Sequence, residues 1–345
     1  MAEKLEIQGM DVSTMTKVVR KLENKGGVKI GLDFLPFYDS ATEETMWDIV
    51  RSASPIASFR AVDGEAELGG KQAFDRAYAD VVSIARKERM NTSDLRKIKE
   101  AGMLPVIDGQ TSLIAQMAKE AKKKIRLALE RSKMAIDNRL EWMQINALLG
   151  KVNYSGKVNF SVDYGIPGNQ SGVTPTIPWS TIATATPIND LINWQEIVRE
   201  NTGIIPDICV MSRKALNYIR NNAGIAEVLK YTSKSIISFK AAKAYVEENT
   251  GLNVIVYDTT YTADDGTGTT RFLAEDKILL LPSTSALPEG LGDTARVGHP
   301  LADYTPGYYT WQETKKDPYG LEVGVGLDAF PRITHPEALF NADVF

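Results

Sequence analysis

The residues able to do chemistry are few and scattered. Two histidines, His299 and His335, each stand before a proline with no Cys, His or carboxylate at ligand spacing. They read as loop residues, not as a metal-binding or proton-transferring pair. The one cysteine, Cys209, lies inside the apolar run Ile204–Met211, where a buried small hydrophobe is expected and a nucleophile is not. Gly266-Thr267-Gly268-Thr269-Thr270-Arg271 lacks the third glycine of a dinucleotide loop and opens no helix, so it reads as a hairpin turn. Asp264-Asp265-Gly266 lacks the further acidic ligands of a calcium loop and is another turn signal. There is no G-x-x-x-x-G-K-[ST] and no G-x-S-x-G. The carboxylate pairs Glu43-Glu44 and Glu247-Glu248 are adjacent residues on expected helices, where they do not face one another. No catalytic, cofactor-binding or metal-binding residue can be named. An enzyme would need a site assembled in space from several elements, with a perturbed carboxylate in a concave pocket.

The elements explain more than the motifs. From Thr111 to Leu149 the chain has neither glycine nor proline. Leu113, Met117, Ala121, Ile125, Leu129, Ile136, Leu140, Met143 and Ala147, with Ser132 in the gap, recur at the spacing of one helical face. The pattern predicts one long spine helix, capped by Asp108 and ended by Gly150. At 1.5 Å per residue it would be roughly 57 Å long, which suits a flat or elongated subunit. Its eight basic residues outnumber its four acidic ones. No aromatic residue interleaves the Lys119–Arg126 cluster to stack on bases, so a solvated or neighbour-facing surface is the better reading than a nucleic-acid groove.

Before the spine, Met15, Val18, Val19 and Leu22 mark a short amphipathic arm that needs a surface to lie on. Ser40-Ala41-Thr42-Glu43 looks like a capping box before a brief turn reaching Val50. Residues 51–91 hold seven basic and six acidic side chains around Gly69-Gly70. They read as an extended hairpin too polar on both faces for a core sheet, hence one that projects and is held by another subunit. After the spine come a hairpin at 151–164, a Gly/Pro/Ser/Thr-rich linker at 165–187, and a regular α/β region from 189 to 299 with helix caps at Ser212 and Ser238. Leu321, Val323, Val325 and Leu327 then form a strand with Gly324 and Gly326 on its other face, where something must approach closely. This strand is expected beside the 151–164 hairpin. The fold class is α+β.

Composition narrows the function. The chain has 345 residues, 43% of them hydrophobic, and a net charge of −4, which opposes condensation of nucleic acid by bulk charge. The sequence lacks an apolar run long enough for a membrane span and an N-terminal signal-peptide core, so synthesis in a cytoplasm and no membrane partner are expected.

This order of elements resembles the major capsid proteins of tailed bacteriophages, of the Hong Kong ninety-seven-like fold, and in particular the lambda-like major capsid protein E family. Ser54-Pro55-Ile56-Ala57 resembles that family's entry to its extended loop, Leu149–Tyr164 its hairpin after the spine, and Pro206–Arg220 its axial strand and helix. Gly320–Val344, with Pro331 and Pro336, resembles its C-terminal ending.

The resemblance implies an N-terminal arm and lead-in at 1–50, an extended loop at 51–91 and a peripheral domain at 92–188. It implies an axial domain at 189–299, with 300–345 returning to complete the peripheral domain. It implies a structural protein, not an enzyme, that forms the hexamers and pentamers of an icosahedral head enclosing double-stranded DNA without reading its sequence. A portal, a scaffolding protein and a decoration protein are the implied partners. The location is the virion, after assembly in the bacterial host cytoplasm. Only fifty residues precede the loop, so the scaffolding protein should be a separate chain. Within the loop, Phe59, Arg60, Asp63, Glu65, Glu67, Lys71, Asp75, Arg76 and Tyr78 become the expected inter-subunit contacts. Lys71 is better taken as solvated than as cross-linked. A cargo-holding nanocompartment of similar fold and an α/β enzyme with its site in 189–299 are the alternatives.

Overall fold

The computed structural model describes residues 11–22, 27–42, 44–50, 74–91, 111–156, 158–232, 237–262, 268–283, 286–287, 290–316 and 319–345. The spine is a single helix, Thr111–Leu148, closed by Gly150 in the left-handed region at φ 92°. Ile125, Leu129, Ser132, Ile136, Leu140, Met143 and Ala147 are all buried, so from Ile125 onward the expected stripe is the core face. Asp108 lies outside the described residues.

The arm helix, Val12–Lys21, buries Met15, Thr16 and Val19. Its Thr16 hydroxyl meets that of Thr310 at 2.9 Å, and Arg20 donates to the carbonyls of Tyr308 and Thr305 at 3.0 and 3.1 Å. The arm thus packs on its own body. A short helical turn, Gly31–Phe34, follows.

Strands β1 (Phe37–Ser40) and β2 (Glu44–Val50) come next. The capping-box reading fails here. Thr45, Trp47, Ile49 and Val50 favour an extended chain, and a cross-strand ladder outweighs a local cap. β2 pairs antiparallel with β3 (Phe74–Asp80), from Glu44 opposite Asp80 to Val50 opposite Phe74. The stretch 51–91 is therefore not one hairpin: its ladder begins at Glu44, and β4 (Val82–Asn91) leaves it for the main sheet. Ile84 and Met90 are buried there, while Lys87 reaches Glu322 at 2.6 Å. An antiparallel strand can carry charge on its wet face and still be half of a core sheet, which is why polarity misled the sequence reading.

β5 (Lys151–Tyr154) and β6 (Phe160–Asp163) form the hairpin after the spine. The region beyond holds β7 (Ile208–Met211), β8 (Asn253–Val256), β9 (Thr260–Thr262), β10 (Thr269–Arg271) and β11 (Lys277–Leu281). Its helices are Pro187–Thr202, Arg213–Asn221, Ala223–Thr232 and Phe239–Thr250. Ser212 and Ser238 cap two of them, each accepting a backbone N–H three residues on. β12 (Gly292–Val297), β13 (Tyr309–Lys316), β14 (Tyr319–Ile333) and β15 (Phe340–Asp343) complete the chain.

The main sheet runs β1-β12-β14-β13, with β4 on the other edge of β14. The return strand β14 therefore does not join the 151–164 hairpin, because β4, β12 and β13 occupy its edges. The hairpin packs by side chains instead: Phe160 lies edge-on to Phe330, and the Tyr164 hydroxyl donates to the Pro331 carbonyl at 2.7 Å. The second sheet runs β15-β11-β7-β8. The last strand thus belongs to the sheet of the 189–299 region. Cys209 is fully buried in it, and burial pushes its thiol pKa up, in keeping with an inert side chain.

Residues 165–187 are no linker. Val173 and Trp179 donate backbone hydrogen bonds to Asn341 and Val344, and Gln170 and Trp179 are buried. Polar turn composition marked the absence of regular structure, not the absence of packing.

Gly324 and Gly326 have the close neighbours their pattern requires. They sit opposite Trp311 and Tyr309 on β13, and a Cβ on either would lie 2.2 Å from the facing ring. Gly324→Ala should lower stability by about 1–3 kcal/mol, because the facing indole must be displaced to admit the methyl group. Chemical denaturation of the subunit measures this.

Candidate assembly surface and the spine junction

The residues expected to touch a neighbouring subunit fall into two groups. Phe59, Arg60, Asp63, Glu65, Glu67 and Lys71 lie outside the described residues. Asp75, Arg76 and Tyr78 stand on β3, in register with Ile49, Asp48 and Met46 of β2. Among the described residues this two-stranded ladder joins no other sheet. Trp47, 6% exposed, anchors its base against Tyr164, ring centroids 6.0 Å apart.

No chemical centre competes with this surface among the described residues. No group of three or more His, Cys, Asp or Glu is placed to hold a metal ion there, and no helix is long and apolar enough to cross a membrane. His299 caps the turn Pro300–Ala302, its Nδ1 accepting from the Leu301 N–H at 3.1 Å. His335 is buried at the start of the turn Pro336–Ala338. A cleft of about 480 Å³ in the 189–299 region is lined by Arg213, Lys214, Phe239, Asp258 and Arg271, among others. Its one carboxylate is already engaged. Arg271 bonds Asp258 at 2.7 Å and Glu275 at 2.9 Å, Lys214 bonds Glu275 at 2.9 Å, and Arg213 lies over the Phe239 ring. Lys214 holds the Glu275 carboxyl below its usual range, the opposite of a poised general acid.

The unusual electrostatics lie on one edge of the spine. Lys133, Asp137 and Glu141 follow at four-residue spacing and are all buried. Glu141 Oε1 accepts from the Ile30 N–H at 2.9 Å and the Tyr257 hydroxyl at 2.7 Å, and the Gly31 N–H bonds both carboxylate oxygens at 3.2 Å. Asp137 accepts from Lys133 at 3.2 Å and from the Tyr308 hydroxyl, while Lys133 sits 4.9 Å over the Tyr308 ring. Towards the end of the helix, Gln144 donates to Thr294 Oγ1 at 2.8 Å and to the Leu35 carbonyl at 3.3 Å.

One helix edge thus fastens the N-terminal lead-in, the segment after β8, β12 and the approach to β13. Burial pushes the Glu141 pKa up, against the pull of Tyr257, Ile30, Gly31 and Lys29. Burial also pulls the Lys29 pKa down, against Asp137 and Glu141. The Tyr257 and Tyr308 hydroxyls are pushed up, first by burial and then by the facing carboxylates. Sequence reading missed this junction, having treated the spine's charges as a solvated or neighbour-facing surface. The available signal was that Asp137 and Glu141 directly follow the stripe residues Ile136 and Leu140. Buried among these partners, the junction fixes how separate parts of the chain are oriented on the spine.

The comparisons agree with a structural role. The phage major capsid protein E family model matches residues 11–344. A putative capsid protein of a prophage in E. coli CFT073 is similar in structure, with 17% identity, coverage of 97% of this chain and 99% of that one, and a TM-score of 0.63. A phage-related protein from Bordetella bronchiseptica RB50 has 14% identity, coverage of 95% of both chains and a TM-score of 0.54. A chain of the satellite phage P4 procapsid has 10% identity, coverage of 99% and 93%, and a TM-score of 0.50. No curated protein sequence matches this one. With the family model spanning nearly all of its length, the chain belongs to the phage major capsid protein E family and is a shell-forming capsid protein of a phage or prophage.

Proposed function

We propose that the chain associates into hexamers and pentamers that close an icosahedral head around double-stranded DNA, and that residues 51–80 clamp each subunit to its neighbour. The observation that carries the clamp is the β2–β3 ladder, joined to no other sheet among the described residues and held to the body by Trp47. The segment it supports is close to charge-balanced, with four basic and five acidic residues across 51–80. Between subunits, such balance sets register and partner choice more than raw affinity. Phe59, Arg60, Asp63, Glu65, Glu67, Lys71, Asp75, Arg76 and Tyr78 are the proposed contacts. The proposed division makes 92–188 with β12, β13 and β14 a peripheral domain, and the rest of 189–299 with β15 an axial domain. A portal, a separate scaffolding protein and a decoration protein are the proposed partners, with assembly in the bacterial host cytoplasm. The net charge of −4 suits a container that a motor fills, since the chain has no surplus of positive charge with which to gather DNA.

Deleting residues 60–80 tests the clamp. The subunit should keep its helical circular-dichroism signal yet form no shells by sedimentation and negative-stain microscopy. Normal shells from the deletion would remove the loop from this role. A wild-type chain that stays monomeric in every condition, with and without its genomic neighbours, would overturn the shell architecture itself.

A further inference from the structure

A rigid, strained turn displays two large apolar side chains at the far end of β12. Pro300–Ala302 form one turn of 3-10 helix, and Asp303 and Tyr304 then both adopt left-handed backbone, at φ 50° and 55°. Side-chain-bearing residues avoid that region, a bulky one most of all. The turn is held from several sides. The His299 carbonyl accepts the N–H groups of Ala302 and Tyr304 at 2.9 and 3.1 Å, and Thr305 donates to Ala302 at 2.9 Å. The His299 ring lies flat on Tyr309, centroids 3.8 Å apart. Arg20 of the arm helix ties down the Thr305 carbonyl at 3.1 Å. Behind the turn, Gly298 admits the Tyr304 carbonyl so closely that a Cβ there would lie 1.9 Å from its oxygen.

All this holds Leu301 and Tyr304 outward, 50% and 73% exposed. Neither contributes to the subunit's own core. Strained backbone persists only where its surroundings impose it, and it concentrates where function uses the imposed shape. With the backbone beneath them already fixed, an aromatic and an aliphatic side chain make an inexpensive anchor to dock, because only side-chain freedom is left to lose.

We infer that the His299–Pro306 turn is a contact by which one copy of this chain grips another, with Leu301 and Tyr304 as its anchors. The inference rests on the shell reading, which also names the occupant. A shell-forming chain meets its own copies at every position of the lattice, and a single pre-set turn is then reused in each. This contact is separate from the proposed clamp, since it lies between β12 and β13 and not on the β2–β3 ladder.

The test is Tyr304→Asn, which keeps a residue tolerant of left-handed backbone and removes the ring, with Leu301→Ser as an independent variant. Each should cut shell yield roughly tenfold at equal protein concentration, the change expected when an anchor residue is lost. Their unfolding midpoints should match or exceed the wild type. Wild-type yields from both variants would overturn the inference and leave the shell reading standing. Yield lost only together with subunit stability would assign the turn to the fold and overturn it too. Normal shells that no longer hold a second viral protein would give the contact to that protein instead. If the wild type itself forms no shells, both readings fall.

Discussion

Glu141→Ala is expected to destabilise the subunit by about 3–5 kcal/mol, the range for removing one partner of a buried charged network. Alanine withdraws the acceptor from the Ile30 and Gly31 N–H groups and from the Tyr257 hydroxyl. Each buried donor then bears its desolvation penalty alone. Lys29 also loses one of its two counterweights and keeps only Asp137. The loss should register as a lower denaturation midpoint and as faster amide exchange at residues 30–35. A midpoint unchanged within error would mean that the arm and the segment after β8 are held by apolar packing alone.

The isosteric Glu141→Gln separates charge from hydrogen bonding. Burial raises the folded-state pKa of Glu141, so the folded protein holds that proton more tightly than the unfolded chain does. The ionised form therefore weakens the fold. The penalty is absent below the unfolded-state pKa, grows as pH rises to the higher folded-state value, and is complete above it. Glutamine removes this dependence. The stability difference between wild type and Glu141→Gln should shift in the variant's favour as pH rises through that window, then level off. A constant offset at every pH would show that burial does not bias this carboxyl.

Trp179→Ala should cost about 3–5 kcal/mol, as for other fully buried aromatic residues. The indole is 1% exposed, stacks on Trp194 at 6.0 Å and donates from Nε1 to Asp190 Oδ2 at 2.9 Å. Trp179→Phe keeps most of the packing but removes the donor. Burial already pushes the Asp190 carboxyl up and the indole opposes that push, so the phenylalanine variant should lose about 1–3 kcal/mol and raise the Asp190 pKa further. Near-ultraviolet circular dichroism should report the lost ring pair in the alanine variant. A stable Trp179→Ala protein would restore the reading of 165–187 as a loose connection.

What could be read from the residues was what local chemistry decides. The spine's extent follows from thirty-nine residues without glycine or proline and from Gly150 after them. Ser212 and Ser238 were legible as caps because an N-cap needs only its own next turn. The close approach at Gly324 was legible from the strand's alternation, although the identity of the approaching ring was not.

What escaped depends on partners distant in sequence. β4 entered the main sheet because β14, more than two hundred residues later, offers it ten paired positions from Gly320 to Ala329. Its charges said only that one face is wet. Trp179 sits in turn-rich sequence yet hydrogen-bonds Val344 through its backbone, a contact with no local signature. Asp137 and Glu141 look like any acidic residues of a solvated helix until Tyr308, Tyr257 and Ile30 arrive. The proposed clamp contacts rest on charge pattern and on the ladder beneath them.

A ribosome makes β15 after everything that it covers. Until residues 340–343 emerge, β11 has an open edge from Lys277 to Leu280, and the burial sites of Phe340, Ala342 and Val344 stand empty. A nascent or prematurely terminated copy therefore shows sticky, unfinished surface of the kind that chaperones and proteases take. Each copy closes this sheet only once β15 has docked, so a copy without residues 340–343 keeps the β11 edge open to whatever strand or chaperone meets it first.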